Sequence, residues 1–192
     1  KVNSSSQKTT AFQKVNTSVV SVVNLQKQQQ STGDLSSLFG SGSTDSNSSS
    51  SKSSSSDLEE SSEGSGLIYE KKDGKAYIVT NNHVVSGSSA LEVILSNGKK
   101  LSATIVGTDS TTDLAVIKIN SSDVTTIASF GNSNQIEAGQ DVLAIGSPLG
   151  SEYATSVTKG IISAKKRTVQ VQDNSGNTTA NASVIQTDAA IN

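Results

Sequence analysis

Residues 90–108 read Ala90-Leu91-Glu92-Val93-Ile94-Leu95-Ser96-Asn97-Gly98-Lys99-Lys100-Leu101-Ser102-Ala103-Thr104-Ile105-Val106-Gly107-Thr108. Leu91, Val93 and Leu95 fall on one face of an extended chain, as do Leu101, Ala103 and Ile105, because successive strand side chains point to opposite faces. Between the two runs stands Asn97-Gly98, a pair that enters the left-handed backbone region cheaply and so closes a tight hairpin. Upstream, Gly66–Glu70 and Ala76–Thr80 flank Lys71-Lys72-Asp73-Gly74-Lys75, whose Asp-Gly pair is a second hairpin signal. Ser18–Leu25, Leu114–Ile119, Val142–Ile145, Ser156–Val171 and Ala182–Thr187 are further apolar, β-branched runs. Short strands joined by tight turns with little helix between them indicate an all-β barrel or sandwich.

The rest of the chain fits around this pattern. Thr9–Asn16 is expected to form a short helix capped by Thr9 or Thr10, with Phe12 and Val15 on one face. Ser31–Glu63 is about half serine. It lacks the apolar surface to offset the entropy of ordering it, so no regular secondary structure is expected there. It reads as a long surface loop within one domain, since the strand before it is too short to stand alone; a linker or a surface stalk is the competing reading.

Composition removes several function classes. There are no cysteines, hence neither a disulfide framework nor a thiolate metal site, although this does not identify a compartment. A net charge of −2 gives no electrostatic case for nucleic acid. The cluster Lys165-Lys166-Arg167 reads as a solvated strand end. No apolar run approaches the roughly 20 residues that span a bilayer. The sequence holds no methionine, so a processed chain or a fragment is expected, with any signal peptide or membrane anchor upstream of it.

His83 is the only histidine. It follows an apolar run in Thr80-Asn81-Asn82-His83-Val84-Val85. A lone histidine at a strand end is often structural, and without a second His it cannot join a multi-histidine metal site. As an acid/base it needs an orienting partner. Asp113, in Thr111-Thr112-Asp113-Leu114-Ala115-Val116, is a candidate: a carboxylate there could accept Nδ1–H and fix the tautomer. A turn-capping aspartate is the alternative.

Five blocks occur in order: Gly64-Ser65-Gly66-Leu67-Ile68, the His83 block, the Asp113 block, Ala144-Ile145-Gly146-Ser147-Pro148-Leu149-Gly150 with Thr158-Lys159-Gly160-Ile161-Ile162-Ser163, and the terminal Gln186-Thr187-Asp188-Ala189-Ala190-Ile191-Asn192. Together they resemble the protease domain of the HtrA/Deg family of serine proteases, from about Val19 to the last residue and interrupted only by the serine-rich stretch. The resemblance implies an all-β, chymotrypsin-like double β-barrel, with the second barrel incomplete in this chain. The implied layout is an N-terminal segment at 1–18, a first barrel at 19–137 with its long loop at 31–63, and a partial second barrel at 138–192.

It further implies His83 as general base and Asp113 as its orienting partner in the catalysis of an ATP-independent serine endopeptidase acting on unfolded or misfolded exported proteins. The family's Gly-Asn-Ser-Gly-Gly motif follows the terminal block within a few residues and is absent from these 192. Ser147, Ser163 and Ser183 do not match it, so this chain is expected to be inactive alone. No cofactor or metal is implied. A homotrimeric parent protein, an extracytoplasmic location and unfolded protein or peptide substrates are. A non-catalytic, protease-like peptide-binding or assembly module is the alternative.

Overall fold

The computed structural model describes residues 4–27, 58–147, 156–172 and 178–191. Among the described residues nine strands follow an N-terminal helix: β1 (Val19–Lys27), β2 (Leu58–Lys72), β3 (Lys75–Asn81), β4 (Ala90–Ile94), β5 (Lys100–Asp109), β6 (Leu114–Asn120), β7 (Asp141–Gly146), β8 (Ser156–Gln172) and β9 (Thr178–Thr187). The first six close into a barrel in the order β1-β2-β3-β6-β5-β4, and β7-β8-β9 form a separate three-stranded sheet. Every pairing is antiparallel. The all-β, chymotrypsin-like expectation is met, with one closed barrel and a second, partial sheet.

Both hairpin signals produce turns. Asp73 (φ 52°) and Gly74 (φ 74°) form a two-residue turn between the paired Lys72 and Lys75, with the positive φ at both positions that matches strand twist. Around Asn97-Gly98 the loop is one residue longer. The Gly98 amide donates to the Leu95 carbonyl at 2.8 Å, the Leu95 amide donates to Lys99 at 2.9 Å, and Gly98 takes φ 80°.

The barrel interior is aliphatic. Ala76, Ile78 and Thr80 of β3 face Ile119, Ile117 and Ala115 of β6 across the ladder, and all six are buried. Val93 is fully buried opposite Leu101. Gly66 lies where the wall is tightest: an added Cβ would stand 2.7 Å from Ile78 Cγ2 and 2.9 Å from Val22 Cγ2. β1 is buried on both faces from Val19 to Asn24, which explains its nearly continuous apolar sequence. Its outer face meets the end of β7, where the Ser21 hydroxyl lies 2.7 Å from that of Ser147 and the Ser147 amide donates to Ser65 Oγ at 2.9 Å.

Three expectations need correction. Residues 58–63 are strand, paired with β1 as far as Lys27↔Leu58. A polar segment needs no core of its own when a partner strand satisfies its backbone groups. Residues 31–57 lie outside the described residues. The N-terminal helix, α1, runs Ser4–Val15, so Thr9 and Thr10 are interior positions and not caps. Lys8, Phe12 and Val15 share its half-buried face, and Lys8 Nζ pairs with Asp141 of β7 at 2.7 Å. Ile105, read on one face with Leu101 and Ala103, does not share their burial: those two are half-buried and Ile105 is 41% exposed, at a bulge between Ile105 and Gly107 that interrupts the β5 ladder.

The outer sheet keeps large apolar side chains in solvent, among them Val169 at 47% exposure. Ile117 is 0% exposed at the centre of the barrel. Ile117→Ala is therefore expected to lower unfolding free energy by about 2–5 kcal/mol, whereas Val169→Ala changes it by only about 0.5 kcal/mol. Urea denaturation of the two variants against the parent chain measures the contrast.

Candidate functional site

The segment after β3 does not continue as strand. Asn82–Val85 forms a single helical turn, α2, which anchors in the barrel through the buried side chains of Val84 and Val85 and presents His83 to solvent. Four residues cannot hold a helix by themselves, since nucleation fixes several residues for one hydrogen bond. External groups must satisfy the ends of this turn.

At the amino end those groups come from Asp113, which opens β6. Its backbone stands at φ 55°, a left-handed conformation that aspartate enters more readily than most residues. The turn leading into it is built on Asp109, whose carboxylate accepts from the Thr111 amide at 2.9 Å and the Thr112 hydroxyl at 2.8 Å. Those bonds, the hydroxyl first, hold the Asp109 pKa below its ordinary value. The Asp113 carbonyl accepts from the Asn82 amide at 3.1 Å. One carboxylate oxygen, Oδ1, accepts from the His83 amide at 2.8 Å, and the other, Oδ2, lies 2.7 Å from His83 Nδ1. The Asn81 side chain adds Nδ2–H bonds to the Asp113 carbonyl at 3.1 Å and to Oδ2 at 3.2 Å.

Burial would raise the Asp113 pKa. The His83 amide and ring hydrogen bonds, the His83 charge and the Asn81 amide outweigh it, and the carboxyl titrates below its ordinary value of 3.8. An ionised carboxylate only accepts hydrogen bonds, so at neutral pH the proton in the Nδ1···Oδ2 contact resides on Nδ1. That leaves the lone pair of the neutral ring on Nε2. The His83 side chain is 70% exposed, and no described residue hydrogen-bonds Nε2. The arrangement is an imidazole base of fixed tautomer, open to an incoming group.

The two residues read from the sequence as base and orienter are thus brought together. The serines set aside there lie elsewhere: Ser147 is 3% exposed and tied to Ser21 and Ser65, while Ser163 and Ser183 are on β8 and β9. No described hydroxyl hydrogen-bonds His83. Among the described residues no cluster of His, Asp or Glu is arranged to hold a metal ion. Sequence reasoning missed Asn81, and it missed Asn24, whose amide holds the far end of α2. A polar side chain directly after the buried run Val19–Val23 was the available signal for Asn24.

Residues 64–192 match the trypsin-like peptidase domain. The serine protease Do-like HtrA of Lactobacillus helveticus is 55% identical over 187 residues, covering 96% of this chain and 43% of that protein. The protein of the same name in Bacillus subtilis strain 168 is 48% identical over 174 residues, covering 91% of this chain and 35% of its own length. A probable periplasmic serine endoprotease, DegP-like, of Pseudomonas savastanoi pv. phaseolicola is 49% identical over 134 residues, covering 70% of this chain and 25% of its own length. The chain therefore spans less than half the length of these relatives, and it belongs to the trypsin-like peptidase domain family.

Proposed function

We propose that this chain supplies the general base, His83, and its orienting carboxylate, Asp113, to a serine endopeptidase that degrades unfolded or misfolded exported proteins without ATP. One observation carries the reading: His83 Nδ1 is held 2.7 Å from an ionised Asp113 while its ring stays 70% exposed. A base so held takes a proton from a serine hydroxyl at Nε2 and returns it to the leaving amine, and the carboxylate stabilises the imidazolium formed between the two steps.

By resemblance to the family, the nucleophile and oxyanion hole come with a Gly-Asn-Ser-Gly-Gly motif, which this sequence does not contain, and no described hydroxyl hydrogen-bonds His83. The Thr187–Ile191 segment belongs to the block that precedes that motif in the family. It lies across β8, where the Asp188 carboxylate accepts from the Ile161 amide at 2.6 Å and the Thr158 hydroxyl donates to the Ala190 carbonyl at 2.6 Å. We place the boundary between the two bodies of the protease domain near residue 138. A homotrimer and an extracytoplasmic location complete the proposal. The location is supported by the relatives named as periplasmic.

Two outcomes test the reading. In the longer protein encoded by the parent gene, a fluorophosphonate probe labels a serine and casein is hydrolysed. Asp113→Asn lowers kcat by about 10⁴, because the amide holds the wrong imidazole tautomer. The 192-residue chain itself is not labelled. A longer protein that binds unfolded casein without labelling or cleavage shifts the reading to a peptide-binding module.

The second outcome concerns pH. The Asp113 pKa is lower in the folded than in the unfolded chain, so its contribution to stability is present above the unfolded value, about 3.8. It is lost as pH falls through the lower folded value. The stability gap between the parent chain and Asp113→Ala should accordingly be flat near neutrality and shrink only below about pH 4, as followed by denaturant titrations at stepped pH.

A further inference from the structure

The carboxyl end of the His83 turn is held as firmly as its amino end, and by a residue of a different strand. Asn24 is 1% exposed on β1. Its Nδ2 donates to the Val84 carbonyl at 2.9 Å and to the Ser86 carbonyl at 2.9 Å. Within the turn the Ser86 amide is bonded to the Asn82 carbonyl and the Ser88 amide to the Val85 carbonyl, whereas the Val84 and Ser86 carbonyls take no backbone donor from a described residue. Both protons of one amide are thus spent on these two carbonyls. Ser62 of β2 adds a second donor to the Val84 carbonyl at 3.0 Å. Beside it, the missing side chain of Gly64 lets Val84 approach: an added Cβ would stand 2.5 Å from Val84 Cγ2.

We propose that Asn24 is a positioning residue for His83, acting through the carbonyls of α2 to set the direction of the imidazole. The case rests on the reading of His83 as a catalytic base only for its effect on rate; the geometric effect stands without it. Asp113 fixes His83 at the amide and at Nδ1. Those bonds act at the amino end of the turn; at its other end the two Asn24 bonds add direction to the anchoring by the buried Val84 and Val85 side chains. The Asn24 side chain is held at a cost, since its Oδ1 is buried with no hydrogen-bond partner among the described residues. An apolar residue of similar size would avoid that cost, so the fold tolerates an unsatisfied acceptor to keep two donors aimed at the turn.

The test uses the single histidine, whose ring signals need no assignment. In the 192-residue chain, the Nδ1 proton of His83 is followed by ¹H–¹⁵N NMR for the parent, Asn24→Ala and Asn24→Ser, with the methyl signals of Val93 and Ile117 reporting on the barrel. The expected result is unchanged methyl signals with a broadened or lost Nδ1–H signal in both variants, and a smaller effect in Ser62→Ala, because the Val84 carbonyl keeps Asn24. In the longer protein, kcat per probe-labelled active site falls by about tenfold or more with little change in KM, as expected for a misdirected base.

An Asn24→Ala or Asn24→Ser chain that retains both the barrel signals and the parental Nδ1–H signal overturns the proposal. If the alanine variant loses its methyl signals, the serine variant decides, since its smaller polar side chain leaves room for a water. If neither folds, Asn24 acts on the barrel and not on His83, and the proposal fails. Absence of activity in the longer parent protein sinks the protease reading alone and leaves the NMR result to judge Asn24.

Discussion

The Asp113 carboxylate carries three tasks with two oxygens. It caps the turn that bears His83, it accepts the Nδ1 proton, and it is itself held by Asn81. Each task depends on the others. Without the cap, a four-residue turn has no reason to persist. Without the turn, the imidazole has no fixed approach to Oδ2. The backbone of Asp113 takes an uncommon conformation to reach this place, and the strain is offset by bonds that a residue at an ordinary φ could not direct at α2. A cap and a catalytic orienter are usually weighed as rival explanations for an aspartate at the start of a strand. Here the two oxygens of one carboxylate divide the work, Oδ1 capping the turn and Oδ2 meeting the ring, so the structural role is the means of the proposed chemical one.

The barrel supplies what those few bonds cannot, a foundation of buried aliphatic contacts. β3 delivers α2 and β6 delivers Asp113, and the two strands pair through seven consecutive residues from Lys75↔Asn120 to Asn81↔Leu114. The last pair stands directly beneath the site. A shift of register by one residue would carry Ile78 and Ile117 to the outside and separate His83 from Asp113 in the same movement. Burial of the aliphatic core and alignment of the site are therefore one constraint. This is why thirty residues of intervening chain, including the β4–β5 hairpin, do not loosen a contact of 2.7 Å.

Much of this was legible in the sequence. The Asn97-Gly98 and Asp73-Gly74 turns and the alternation of Leu91, Val93 and Leu95 gave the hairpins their places, because turn chemistry and strand period act locally. The His83 and Asp113 blocks gave the candidate pair, whose side chains the fold brings to 2.7 Å. What escaped depends on partners distant in sequence. Leu58–Glu63 is too polar to read as strand, and becomes one only because β1 offers it a ladder. The exposure of Ile105 follows from a bulge that no alternation pattern announces. The turn at Asn82–Val85 is helical on account of capping groups thirty residues downstream and almost sixty residues upstream, and its sequence has little helical preference of its own: Asn, His and two valines are indifferent helix formers.

The buried polar residues trace the same division of labour. Ser18, Ser21, Asn24, Thr80 and Ser147 are the polar side chains among the described residues that reach full burial, and they do not fall at random in the core. Ser21 and Ser147 bond each other where the barrel meets β7. Thr80 bonds the Ser65 carbonyl one residue before the site-bearing end of β3, and Asn24 bonds α2. Aliphatic contacts stabilise the barrel without regard to direction, and could be met by many packings of the same volume. Hydrogen bonds in a dry interior are directional, and an unmade one is costly. Of the five, only Asn24 reaches α2, and on the proposal made for it a packing that left the barrel intact but turned His83 away would forfeit both of its bonds. Ser18, Ser21, Thr80 and Ser147 fix instead the entry to β1, the junction with β7 and the β2–β3 ladder, so the directional bonds single out one arrangement among those that the apolar core would accept.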